Sequence, residues 1–439
     1  MKNRPVSHFA ITRFINEQTI GGIILIITTI IALYWSNSSF HESYHKLWHE
    51  FKVGFVWGDI DMVGSLHHWI NDGLMAIFFF TVGLEIKREI MGGELNSVKK
   101  ASLPIFAAVG GMVVPAIFYV IVSINNPEYI NGWGIPMATD IAFALGLMAM
   151  FGKRVNVNLK IFLTALAIAD DLGAVLVIAF FYTESIVFTE LISAAVFLGV
   201  LIIANITGVR RTTFYAIIGF AGVWVAFMLS GVHATIAGVL IAFTIPSRTK
   251  IDEDNYISKL CGLTGEFKKE PPTGDALLSK KQVQILTNIE KLNDNAHTPL
   301  QKLEHAMHPI ITFFILPVFA LANAGVYIDG SIMEMVLHPI SIGIIFGLLL
   351  GKSIGISLFS HLVVKLKLAV LPDGLKWNHI YGVAFLAGIG FTMSMFISEL
   401  AFSDTLHVEI AKVGIMTASL LSAIIGMIWL ALSLPKGNK

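Results

Sequence analysis

Residues 160–174 read KIFLTALAIADDLGA, so two consecutive carboxylates, Asp170 and Asp171, stand in the middle of an otherwise apolar run that continues to Phe181. A run of roughly 20 mostly apolar residues has the length of a membrane-spanning helix. A charge at the centre of a bilayer costs from about 3 to more than 10 kcal/mol, so an ionisable residue there is a functional hypothesis by default. Two carboxylates side by side cannot both ionise cheaply in such a place without a cation or an ammonium nearby.

The rest of the chain agrees with a membrane reading. Its 439 residues are 55% hydrophobic and only 14% charged, with mean hydropathy +0.74, which does not suit an ordinary soluble globule. Thirty basic and thirty acidic residues cancel, so no global field recruits nucleic acid or a membrane surface. The single cysteine, Cys261, excludes an internal disulfide framework. Lys2, Arg4 and Arg13 precede an apolar run from Ile20 to Leu33 that lacks a small-x-small cleavage pattern, and this run reads as a first span rather than a signal peptide.

Hydropathy predicts roughly twelve spans, near 19–35, 66–86, 102–122, 134–152, 157–182, 189–206, 213–229, 233–245, 308–326, 339–361, 379–401 and 408–434. The eighth is too short to cross upright. Lys and Arg collect on the cytoplasmic side of membrane proteins, and here they alternate: they crowd the N-terminus, the even-numbered connections and the C-terminus, whereas the odd-numbered connections hold only Lys46 and Lys52. Both termini are therefore expected in the cytoplasm. Lys412 falls near the start of the last span and Lys352 deep within the tenth, so only Lys352 calls for an explanation.

Two segments outside the spans stand apart. Residues 40–63 are aromatic and His-rich, suited to an interfacial amphipathic piece or to a small hairpin for contact in a homodimer. Residues 247–300 form a polar cytoplasmic insertion, expected to be mostly linker, although Val283, Leu286, Ile289 and Leu292 recur near helical spacing.

Within the spans the ionisable residues are Asp72, beside Asn71, Asp140, Asp170, Asp171 and Lys352, with His233 opening the eighth. One lysine does not neutralise Asp140, Asp170 and Asp171 together. A carboxylate that takes either a proton or Na⁺ at one site makes the two compete, so that loading one expels the other with no covalent step. Asp72 suits helix packing as well as it suits ion binding. Two spans also carry helix breakers: GIPMATD at 134–140 and AGIGFTMS at 387–394. In lipid, unwound backbone survives only where it is buried in protein or lines a cavity; close Gly packing is the other reading. Half-helix ends meeting at mid-membrane would call for an Asp and a Lys to compensate them. Because the third span starts inside and the tenth outside, the segments near 102–182 and 339–434 run in opposite senses, each with an interrupted middle helix. That is the layout of inverted repeats. The fold expected is a single polytopic all-α membrane domain over residues 1–439, with about twelve helices and two crossed discontinuous ones.

A sodium-coupled solute symporter could share this layout but would need a sizeable polar cavity. Intramembrane aspartyl proteolysis could use two carboxylates, yet its Gly-x-Gly-Asp signature is missing. WGIPMATDIAFALG at 133–146, KIFLTALAIADDLGA at 160–174, Gly351-Lys352 and GIGFTMS at 388–394 closely resemble motifs of the NhaA family of bacterial sodium/proton antiporters, and the likeness covers nearly the whole chain apart from the insertion. The resemblance implies an electrogenic, pH-regulated exchanger of Na⁺ or Li⁺ for protons in the bacterial inner membrane, serving pH and sodium homeostasis. It is not an enzyme and needs no cofactor. Asp171 would be the principal ligand of the transported Na⁺, with Asp170 and Thr139 beside it and Asp170 paired to Lys352 when the cation is absent. Thr139 and Asp140 would lie at the helix crossing, Asp140 compensating the N-terminal ends and Lys352 the C-terminal ones. A pH-response cluster would include Glu85, Lys87, Arg88, Glu89, Glu304 and His305, which read more simply as solvated helix-end charges. His233 matches a family histidine, with a hydrogen-bonded packing role as the simpler reading.

Overall fold

The computed structural model describes residues 8–57, 60–183, 186–271, 277–328 and 330–435; Lys2, Arg4, Lys436 and Lys439 of the charge count lie outside them. Among the described residues nine helices are long and apolar enough to cross a membrane, or up to eleven if each of two bent pairs is one span. The chain is thus a helical, multi-pass membrane protein.

Helix α1 (His8–Ser36) leads through two short helical turns to a hairpin of β1 (Lys52–Trp57) and β2 (Ile60–Ser65), which pair antiparallel from Lys52↔Ser65 to Trp57↔Ile60. Residues 40–63 are therefore part helix and part β-hairpin. Next come α2 (Leu66–Gly92) and α3 (Val98–Ser123). The first broken span follows: α4 (Pro127–Met137), wound as a tight 3₁₀ helix, and α5 (Ile141–Ala149) are bent by 43° across residues 138–140. Then come α6 (Val157–Phe181), whose N-terminus Asn156 caps by accepting from the Asn158 amide, α7 (Phe188–Ile206), α8 (Thr212–Ser230) and the short α9 (Ala234–Thr244). Gly231 turns the chain between α8 and α9 in the left-handed region, at φ 78°, where a Cβ is unfavourable.

Two expectations need correcting. The insertion is mostly helix rather than linker: α10 (Glu253–Lys269) and α11 (Lys280–Ala296) pack together, α11 opening on a capping box of Ser279 and Gln282. Its buried face is Gln282, Ile285 and Leu292, while Val283 and Leu286 are exposed. The next span also begins earlier than hydropathy suggests, since Thr298 caps and Pro299 starts α12 (Pro299–Asn323). The chain closes with α13 (Pro339–Lys365), a second broken span of α14 (Trp377–Ala387) and α15 (Phe391–Ala401), bent by 46° across 388–390, and α16 (Thr405–Ser433).

The short α9 is tolerable because it is buried in protein. A Cβ on its Gly238 would stand 2.2 Å from the Ala76 carbonyl oxygen of α2. The carbonyls at its C-terminal end are met by Lys87, whose ammonium donates to those of Phe243 (2.6 Å) and Ile245 (2.5 Å). Helix α3 packs extensively against α13. Gly347, Gly351 and Gly355 recur every fourth residue, and a Cβ at Gly355 would lie 2.1 Å from the Gly110 carbonyl oxygen, one at Gly351 2.7 Å from Pro115 Cα. Small residues let backbones in lipid approach this closely, and the contact fixes the helix that carries Lys352 against the bundle.

Gly355→Val is expected to lower the thermal unfolding midpoint in detergent, since overpacking costs roughly 1–3 kcal/mol and here the obstacle is backbone; a midpoint equal to the native one would contradict the α3–α13 packing.

Candidate functional site

The two breaks face each other inside the protein. A helix end leaves amide donors unpaired at its N-terminus and carbonyls unpaired at its C-terminus, with partial charges of opposite sign. Asp140 stands where the N-termini of α5 and α15 meet. One carboxylate oxygen caps α5 by accepting from the Phe143 amide at 3.1 Å. The other accepts from the Thr392 amide (3.2 Å) and hydroxyl (2.5 Å) in the first turn of α15. The Asp140 amide in turn donates to the Ile389 carbonyl at 2.7 Å.

The opposite ends are met by two different groups. The Lys352 ammonium donates to the Met137 carbonyl that ends α4, and the Thr139 hydroxyl donates to the Ala387 carbonyl that ends α14, at 2.9 Å. The expectation that Lys352 compensates both C-termini is therefore corrected, since Thr139 takes the second. Thr392 was not among the expected site residues; its signal was a hydroxyl placed one residue into the helix that resumes after GIG.

Lys352 also holds Asp170. Its Nζ lies 2.8 Å from Asp170 Oδ2, with the two side chains 1% and 2% exposed. The lysine follows a π-helical turn over Gly347–Gly351, a distortion frequent at functional sites. Asp171 is one residue further on and so points about 100° around α6. It lines a cavity of about 120 Å³ together with Phe78, Thr81, Thr139, Asp140 and Thr392. Its Oδ1 is buried and makes no hydrogen bond among the described residues, as does Asp170 Oδ1. Carboxylate and hydroxyl oxygens converging on one small space are the donors a hard alkali cation takes.

The cavity reaches toward the face that carries the basic connections, past Glu85, Arg88 and Glu304. There Arg88 binds Glu304 at 2.6 Å and Glu89 at 2.8 Å. The structure thus brings Glu85, Arg88, Glu89 and Glu304 together at one mouth. Lys87 is turned to the end of α9, and His305, beside Glu304 in the chain, is exposed and bonded to the Gln301 carbonyl of its own helix at 2.7 Å. His233 lies elsewhere and bonds the Tyr182 carbonyl at 2.7 Å. Asp72 is also away from the site, 3.1 Å from His68 Nδ1.

Comparison with known proteins gives one answer along the chain. A family model described as Na+/H+ antiporter 1 matches residues 12–430. The chain is 49% identical over 430 residues to the Na(+)/H(+) antiporter NhaA 1 of Psychromonas ingrahamii, covering 97% of this chain and 98% of that one. It is 48% identical over 411 residues to the Na(+)/H(+) antiporter NhaA of Oleidesulfovibrio alaskensis, covering 93% and 90%. It is 47% identical over 431 residues to the Na(+)/H(+) antiporter NhaA of Helicobacter pylori, covering 98% and 97%.

Removing one partner of a buried ion pair strands the other, at a cost of roughly 3–5 kcal/mol. Lys352→Ala is accordingly expected to melt at a clearly lower temperature than the native protein in detergent, and a native-like melt would show that Asp170 does not depend on Lys352.

Proposed function

The chain belongs to the Na+/H+ antiporter 1 family, and we propose that its exchange of Na⁺ for H⁺ runs through Asp171, with Asp170 and Lys352 as a switchable pair beside it. The observation that carries this reading is the inequality of two adjacent carboxylates. Asp170 is tied to Lys352, whereas Asp171 faces the cavity with an unpartnered oxygen.

In this reading Asp171 holds a proton when no cation is present. Na⁺ or Li⁺ entering the cavity replaces that proton, taking oxygens from Asp171, Asp170 and the Thr139 hydroxyl. Asp170 then leaves Lys352, and an ammonium stranded in the interior is costly enough to give up its own proton. Release of a proton from each of Asp171 and Lys352 against one cation makes the cycle electrogenic. Asp140 holds the N-termini of α5 and α15 together so that the site can change sides without its helix ends being exposed to lipid. The small cavity favours ions over organic solutes, whose sites run to roughly 300–1,000 Å³.

The triplets α3 to α6 and α13 to α16, each a long helix, a broken pair and a long helix, are in this reading inverted repeats within one domain. The face carrying Lys99, Lys100, Arg210, Arg211 and the α10–α11 insertion is the cytoplasmic one of a bacterial inner membrane, by the bias of basic residues. Glu85, Arg88, Glu89 and Glu304 at the cavity mouth are the groups placed to make entry from that side depend on pH. The two-stranded hairpin of β1 and β2, which overlaps residues 40–63, has edges to offer a second copy by strand addition, which supports a homodimer.

The reading is tested in everted membrane vesicles holding an acid-inside pH gradient. Na⁺ or Li⁺ should collapse the gradient with the native protein and leave it nearly intact with Asp171→Asn; an undiminished response in the variant would sink the assignment of Asp171.

A further inference from the structure

A second buried group of polar and charged side chains lies at the end of the bundle opposite the cavity mouth. Glu399, in the last turn of α15, binds Lys412 of α16 at 2.6 Å, and its carboxylate lies 3.6 Å from His67 Nε2 at the start of α2. His67 Nε2 is also 3.0 Å from Asn323 Oδ1 at the end of α12, and Asn323 Nδ2 donates to Asn71 Oδ1 of α2 at 3.0 Å. The side chains of Glu399, Lys412 and His67 are only 19%, 8% and 11% exposed, and Asn323 is fully buried. Lys412, which the sequence presents as unremarkable, is thus a buried charge with a partner.

Two features distinguish this group from ordinary packing. A buried ion pair is weak evidence for stability, because desolvation offsets the attraction and an apolar pair of similar volume often does as well. In addition, the members divide between two sides: α2 and α12 pack on each other, as do α15 and α16, and the group joins the one side to the other. The ring of His49 lies 4.5 Å from that of His67, and burial with the neighbouring His67 and Lys412 pulls its pKa down to about 4.

Directly beneath lies a dry layer. Phe396 is three residues before Glu399 and Phe319 four before Asn323; the Phe396 ring is 5.8 Å from Phe79 of α2 and 6.4 Å from Phe319, and all are fully buried. Phe78, next to Phe79 in the chain, already lines the Asp171 cavity. From the cytoplasmic mouth inward, the order is therefore open cavity, aromatic layer, polar group. The Asp171 cavity runs toward Glu85, Arg88 and Glu304 on one side, and on the other the aromatic layer and the polar group stand between the same two pairs of helices.

We propose that His67, Asn71 and Asn323 on one side and Glu399 with Lys412 on the other form the outer latch of the transporter, closed while the cavity opens to the cytoplasm and separated when the site opens outward. This rests on the exchange reading above. Lys412 holds the Glu399 carboxylate aimed across the boundary, and the His67–Glu399 contact is the one that parts. Side-chain amides and one charged contact suit a latch better than an apolar seam does, because they are re-solvated by the water that enters when they separate. A seam of aliphatic groups would resist that exposure.

The test uses the full chain with its exposed Cys261 replaced by serine. His67→Cys with Glu399→Cys is bridged across the boundary by a reducible bifunctional thiol reagent, and Na⁺-evoked proton flux is measured in vesicles before bridging, after it and after reduction. A second pair, Phe319→Cys with Phe396→Cys, bridges the same boundary one turn deeper without touching the charges. Flux before bridging reports on exchange itself. The latch predicts loss of flux on bridging to the background of vesicles without the protein, and its return on reduction. Flux that persists once mass spectrometry shows complete bridging of either pair would overturn it, whatever becomes of the exchange reading.

Discussion

One carboxylate accepting from two helices at once makes the centre of this protein possible. A helix broken at mid-membrane exposes unpaired backbone groups where no water can satisfy them, and two such helices crossing would set like partial charges against each other. Asp140 resolves the N-terminal half of the conflict through the Phe143 amide and the Thr392 amide and hydroxyl. Lys352 and Thr139 resolve the C-terminal half at Met137 and Ala387. Only then does unwound backbone become a usable place for ions rather than a defect.

The same compensation explains why Asp170 and Asp171 are unequal. Lys352 must stay near the end of α4, and from there its ammonium reaches Asp170 but leaves Asp171 toward the cavity. The glycine-lined contact of α13 with α3 holds the lysine at that depth. A change in the α3–α13 spacing would therefore act on ion binding through Lys352, although none of those glycines touches the site.

How much of this could be read from residues alone follows from where lipid makes charge expensive. Asp140, Asp170, Asp171 and Lys352 stood out because they interrupt long apolar runs, and the two breaks stood out as clusters of Gly and Pro, although close helix packing would have explained those clusters as well. Glu399 and Lys412 did not, since each sits within two turns of a helix end, where a charge ordinarily reaches water. Their burial arises from a contact between distant segments that hydropathy does not register. Thr392 was hidden for a related reason: a hydroxyl in a small-residue motif declares no partner until the opposing helix is in place. In the insertion the spacing from Val283 to Leu292 pointed to α11, whereas α10 was missed: its stripe of Tyr256, Leu260, Leu263 and Phe267 is interrupted by Gly262 and Gly265 and leaves no residue fully buried.

The two polar centres stand in different relations to water, and that difference bears on how the sides alternate. The Asp140 crossing ties the broken helices to each other, since one carboxylate accepts from α5 and α15 at once. The Glu399 group lies between helices that pack mainly on other partners, so its contacts are the ones a rearrangement can afford to lose. A bundle held rigidly at the crossing and loosely at the outer boundary has one inexpensive direction of motion. The aromatic layer of Phe79, Phe319 and Phe396 sits on that boundary, one turn from Glu399; parting His67 from Glu399 therefore opens the layer as well, and in the proposed latch the site gains the outer side by a motion that displaces α2 and α12 from α15 and α16.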